Sequence, residues 1–288
     1  MSYAALTSAV SALRSTLLPQ VTLDELRRSD VVSFRSALEN TPYRDVARIS
    51  ARSADELYAA VKRSVINAET QVLPYAPKRA RSYLSSYLLH WNAEELKSEL
   101  AARATNADPS ALQSYVESLP NPWNDVKSSF DSFEKSHDPV DLTIAVDHAY
   151  IRQLVSSFNA LADCERYELS GFIFPTLAWY AVKTQVIGKK YGKKLEIGIA
   201  SSRELQESFL SVMERKRYPE NVAAGEEIYA SSMLEWARNE AHRNQFSPAP
   251  AQAAFILKEV EAKEVSEIFL QKLYGVNSQA RETTRARK

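Results

Sequence analysis

Asp147 and His148, in the stretch Val-Asp-His-Ala-Tyr at 146–150, are followed at 164 and 165 by a cysteine and a glutamate. A thiol, an imidazole and a carboxylate could supply a nucleophile, its base and the group that orients the base. Neighbouring residues on a helix point about 100° apart, so Asp147 and His148 cannot easily serve one ligand. A pair on a helix surface is the simpler expectation, and no catalytic residue is assigned.

The remaining histidines are no closer to chemistry. His90, beside Trp91, reads as packing at a helix end; His137 lies in the polar loop sequence Glu-Lys-Ser-His-Asp-Pro; His242 is expected to face water. None has a second ligand near it in sequence, so no metal is expected. Zinc-type cysteine pairs, His-Glu-x-x-His, glycine-rich phosphate loops and the Gly-x-Ser-x-Gly elbow are all absent from the sequence. With only 6 glycines, phosphate-cradling turns are disfavoured and no cofactor is expected. The basic run at 188–194 (GKKYGKK) reads as a helix end, where cations complement the negative terminus, rather than as a nucleic-acid patch. The tail at 280–288 (ARETTRARK) reads as solvated.

Lys plus Arg equals Asp plus Glu, 36 each, so no overall field steers the chain toward nucleic acid. A lone cysteine in 288 residues permits no internal disulfide and suits a reducing compartment, so the cytoplasm is expected. The longest apolar stretch, 171–182, is too short to cross a bilayer and contains Pro175, and no secretory signal is visible. Direct membrane insertion is not expected.

Helices must therefore position whatever the chain does. Long tracts of Ala, Leu, Glu, Lys, Arg and Gln carry apolar residues three or four apart, which predicts an all-α protein; KLEIGIA at 194–200 is the only strand-like run. TPYRDV at 41–46 looks like a helix start, with Thr41 as cap, Pro42 in the first helical position and Asp45 near the positive end of the dipole. NPWNDV at 121–126 repeats it with Pro122 and Trp123, and RYPENV at 217–222 is a weaker third version. Three amphipathic segments begin at Asp55, Asp141 and Glu227, each 86 residues after the last. Three closing segments begin at Glu95, Ala181 and Glu264, sharing an apolar second and sixth residue and a basic ninth. The spacing predicts a lead-in helix over 1–21, helical repeats over 22–105, 106–196 and 197–276, and a flexible tail over 277–288.

These residues carry a resemblance. AVSALRSTLL at 9–18, LENTPYRDV at 38–46, WNAEELKSEL at 91–100, DLTIAVDHAYIRQLV at 141–155 and VEAKEVSEIFLQKLYG at 260–275 together resemble the C-type subunit of V/A-type rotary ATPases, related to the d-type one of eukaryotes. The resemblance implies three related helical bundles forming a funnel-like body. It further implies a non-catalytic rotor connector between the central stalk and the membrane proteolipid ring, passing torque that couples ATP to H⁺ or Na⁺ movement. Such a protein would be cytoplasmic and peripheral at the membrane, held there by the complex. Pro42, Tyr43, Leu96, Lys97, Asp147 and Tyr150 match the family pattern and take structural roles in this reading. Without the resemblance, a helical repeat adaptor for unrelated partners is the competing expectation.

Overall fold

The computed structural model describes residues 2–48, 54–106, 109–190, 222–243 and 246–274. Among them every regular element is helical and no strand occurs. The strand-like run at 194–200, most of RYPENV, the basic run beyond residue 190 and the tail from 275 lie outside the described residues. The chain divides into two compact units: unit 1 contains residues 1–76, 237–246 and 250–288, and unit 2 contains residues 77–236 and 247–249.

Unit 1 begins with α1 (Tyr3–Ser15), α2 (Gln20–Arg28), α3 (Val31–Leu38), α4 (Arg44–Arg48) and α5 (Ala54–Thr70), then a 3-10 turn at Leu73–Tyr75. Two of these starts, those of α3 and α4, have a side-chain hydrogen bond as their local cause. Asp30 caps α3, its Oδ1 accepting the Ser33 backbone N–H at 2.8 Å. Thr41 prepares α4 differently from the sequence expectation: its hydroxyl accepts the Tyr43 N–H at 3.1 Å, and its carbonyl accepts the Arg44 N–H at 3.1 Å. Pro42 consequently stands in a turn ahead of the helix rather than in its first turn.

Unit 1 is completed by most of the long final helix, α13 (Ala249–Tyr274), which belongs to it from Pro250 onward. Residues 251–256 of that helix are buried all round, which suits its alanine-rich start: small side chains admit close neighbours on every side. Further along, Phe269 stacks on Phe34 with ring centroids 5.2 Å apart. Lys272 donates to the Arg27 carbonyl at 3.1 Å and to that of Ser29, filling the acceptors left open where α2 ends.

Unit 2 contains α6 (Lys78–Asn106), α7 (Pro109–Glu117), α8 (Asp125–Ser128), α9 (Phe130–Ser136), α10 (Val140–Asn159), α11 (Asp163–Lys190) and the first part of α12 (Val222–Glu240). Within it, α10 packs chiefly on α6 and also touches α8, α9 and α11. The second proline turn again precedes its helix: the Trp123 N–H donates to the Pro120 carbonyl at 2.8 Å, the Asn121–Pro122 peptide is cis, and α8 begins at Asp125. Glu165 reaches back three residues to accept the Ala162 N–H at 2.7 Å, a capping role that accounts for its burial at the start of α11. That helix continues through Pro175. Four residues earlier, where a proline ring crowds the backbone, stands Gly171, and a Cβ there would lie 2.8 Å from Cδ1 of Trp236.

Burial recurs at the same register in the segments that the sequence overlays. The seventh residues, Val61, Asp147 and Met233, are all buried, as are the eleventh, Val65, Ile151 and Ala237. The second residues of the closing segments, Leu96, Val182 and Val265, are buried too. At one of these core positions the chain carries a charge, Asp147, where the other two carry apolar side chains.

Candidate functional site

Asp147 is 5% exposed, so the expected surface pair is corrected: α10 turns this carboxylate into the interior of unit 2. Burying an ionised carboxylate is costly unless it is paired and hydrogen-bonded. Both conditions are met. Lys97 of α6 donates to Oδ1 at 2.9 Å, and Lys183 of α11 donates to Oδ2 at 2.8 Å. Lys97 also reaches Glu94 at 2.5 Å, and the Lys183 ammonium sits 5.2 Å from the Tyr180 ring centroid. Burial pulls the Lys97 ammonium toward neutrality, but Asp147 and Glu94 outweigh it and raise its pKa above 10.5. One carboxylate thus joins three helices, and its oxygens are already engaged by two fixed cations rather than free to take a proton from a nucleophile.

His148, one residue on, is half-buried, and its Nε2 is buried without a hydrogen-bond partner. Burial lowers its pKa below 6.5, Asp147 opposes that shift, and Arg152 reinforces it. Cys164 is exposed at the start of α11. The arrangement therefore assembles no nucleophile, base and orienter from these three residues. His90 lies inside α6 rather than at a helix end, its Nδ1 2.9 Å from the Tyr87 carbonyl and its ring beside those of Tyr87 and Trp91. His242 is exposed and meets Arg14 at 2.9 Å. His137 closes α9 in the left-handed conformation, at φ 53°. Among the described residues no three His, Cys, Asp or Glu side chains are grouped as a metal ion would need.

Unit 1 has its own polar core around a second pattern residue. Tyr43 is fully buried and donates from its hydroxyl to Glu261 Oε1 at 2.8 Å. The same oxygen receives the fully buried Lys258 ammonium at 2.6 Å, and that ammonium stands 4.4 Å from the Tyr43 ring centroid. Oε2 of Glu261 accepts the Leu18 backbone N–H. The cluster ties the turn before α4 and the chain between α1 and α2 to α13. Burial first, and the Glu261 charge second, push the Tyr43 phenol far above its ordinary pKa, so it acts as a donor and not as an acid.

The other pattern positions are apolar or aromatic packing sites. Leu96, Trp123 and Tyr150 are all buried, the Tyr150 ring 5.8 Å from that of Tyr180. Unit 1 also bears an open groove of about 1060 Å³ between α1 and α5. Its walls are the small residues Ala5, Ala9 and Ala12 on one side and Ser64 and Ala68 on the other, with Pro42 in the turn at its edge.

Residues 6–122 match the ATP synthase (C/AC39) subunit family. The resemblance drawn from the sequence to the C-type component of V/A-type rotary ATPases is borne out over this stretch, which covers less than half of the 288 residues. Three of the five resembling segments fall inside the C/AC39 match, together with Pro42, Tyr43, Leu96 and Lys97; Asp147 and Tyr150 lie beyond it. No curated protein matches the chain significantly. Members of the C/AC39 family are ATP synthase subunits of V/A-type rotary ATPases, an assignment that agrees with a non-catalytic part. No helix among the described residues is long and apolar enough to cross a membrane.

Both polar cores join residues that the sequence pattern does not connect. Lys97 and Asp147 stand out as pattern positions, but Lys183 does not. The overlay of the closing segments could have found it, because Lys183 occupies the third position there, as Lys97 does. Lys258 had no such signal: it lies ahead of the third closing segment, on a helix more than 200 residues from Tyr43.

Proposed function

We propose that the chain is the non-catalytic central-rotor connector of a V/A-type ATPase or ATP synthase. It would join the central stalk to the proteolipid ring and pass torque between ATP turnover and H⁺ or Na⁺ transport. The C/AC39 match carries this reading. The two polar cores are in keeping with it, since their charged groups bind one another and hold helices together, which is what a stiff adaptor needs. In this reading the protein is cytoplasmic and sits at the inner membrane only through its complex. Three related bundles, over 22–105, 106–196 and 197–276, would share helices between the two compact units rather than coincide with them. The common register of burial at Val61, Asp147 and Met233 supports that relationship.

Crosslinking in the native membrane fraction, followed by identification of the linked proteins, tests the proposal. Stalk and proteolipid subunits are expected. Links only to proteins outside a rotary ATPase would overturn it in favour of a general helical adaptor.

A further inference from the structure

We propose that His148 makes unit 2 acid-labile, its protonation by a single proton opening the packing of α10 against α8. The inference does not depend on the connector reading. Its basis is a ring nitrogen with nowhere to donate. Nε2 of His148 is buried without a partner, so the imidazolium would hold an N–H with no acceptor.

The charges around it do not rescue that state. On α10 itself, Asp147 is the one nearby anion, but Lys97 of α6 and Lys183 of α11 occupy its two oxygens, and its side chain leaves the helix in another direction. Glu94 of α6 is turned to Lys97. Arg152, one turn along α10, is a like charge to the imidazolium and is paired with Asp125 of α8 at 2.6 Å, both side chains largely exposed; Lys127, the other charged residue of α8, is exposed too. The charged residues of α9, Asp131, Glu134 and Lys135, are exposed. The protonated ring is thus least costly when it leaves its place, and because Arg152, four residues on and on the same face of α10, is the residue paired with α8, that departure disturbs the contact between α10 and α8. The folded-state pKa of His148 is lowered by burial, so this stability is complete above the ordinary value of 6.5. It is lost as pH falls below 6.5 through the folded value.

Hydrogen exchange on the full chain reads the effect. After correction for intrinsic rates, protection of the amides at 125–128 and 144–152 should be level from pH 8 down to the ordinary value of 6.5 and fall below it toward pH 5, approaching tenfold per pH unit, the limit for one proton. In His148→Gln the same amides should keep their protection relative to those of α6. Equal pH dependence in wild type and variant overturns the proposal. Because the variant could be perturbed for other reasons, the wild-type imidazole is also titrated by NMR. His148 should titrate below the ordinary histidine value of 6.5; titration at or above that value overturns the proposal whatever the variant does.

Discussion

Replacing Asp147 by asparagine keeps the shape of the side chain and removes its charge. Lys97 retains Glu94, but Lys183 loses its carboxylate, and the new amide points a donor at one of the two ammonium groups. Removing one partner of a buried pair costs about 3–5 kcal/mol. The lysine side chains are 12% and 20% exposed, so they can regain part of their hydration by swinging outward, and about 2–4 kcal/mol is the expected loss. Lys97→Met and Lys183→Met should each cost less, because Asp147 then keeps one lysine. The triple change Asp147→Leu, Lys97→Met, Lys183→Met should recover most of the loss, since apolar residues of similar volume replace a buried ion network at little cost or with a gain. Urea unfolding of the purified chain, followed by circular dichroism and analysed by linear extrapolation, gives the four values. If Asp147→Asn costs less than either lysine change, or if the triple variant is the least stable, the carboxylate does not join these helices in the way described. Lys97 adds a pH signature: its folded pKa is raised, so its contribution is present below 10.5 and is lost as pH climbs through the folded value.

Tyr43→Phe should cost about 1.5–3 kcal/mol, the range for a hydrogen bond to a charged group, and Lys258→Met more, about 3–5 kcal/mol, because it strands Glu261; thermal unfolding of the two variants checks the order. Gly171→Ala should destabilise unit 2 by about 1 kcal/mol net, since overpacking against Trp236 costs about 1–3 kcal/mol and alanine returns about 1 kcal/mol of helix propensity; Trp236→Leu in the same chain should reverse the sign. Asp30→Ala should loosen the start of α3, read as faster amide exchange at Val32 and Ser33. The Ser33 N–H holds the Asp30 pKa below 3.8, so the wild-type advantage is present above that pH and disappears as pH falls through the folded value.

The helical class was legible because apolar spacing of three to four residues is a local property, present in segments such as α5, α10 and α13. Tyr43 and Trp123 were legible as aromatics beside a repeated proline turn, and both are buried. The function of Asp147 was not, because a single acid at helical spacing looks the same whether it faces water or two lysines brought in by other helices. The same limit hid Glu261, whose three donors come from Leu18, Tyr43 and Lys258. Pro175 misleads in the opposite direction: a proline reads as an interruption, yet α11 continues past it. Helix continuity there is decided by packing rather than by propensity.

Unit 1 is assembled from both ends of the chain, with residues 77–236 inserted between them. On the ribosome, α1 to α5 emerge early but must wait for Phe269, Glu261 and Lys258, a delay of tens of seconds at ordinary elongation rates. The inserted unit can finish first. A nascent chain therefore carries α1 to α5 without their partners on α13 until residues 258–269 have been made, Phe34 lacking Phe269 and Tyr43 lacking Glu261 in the meantime.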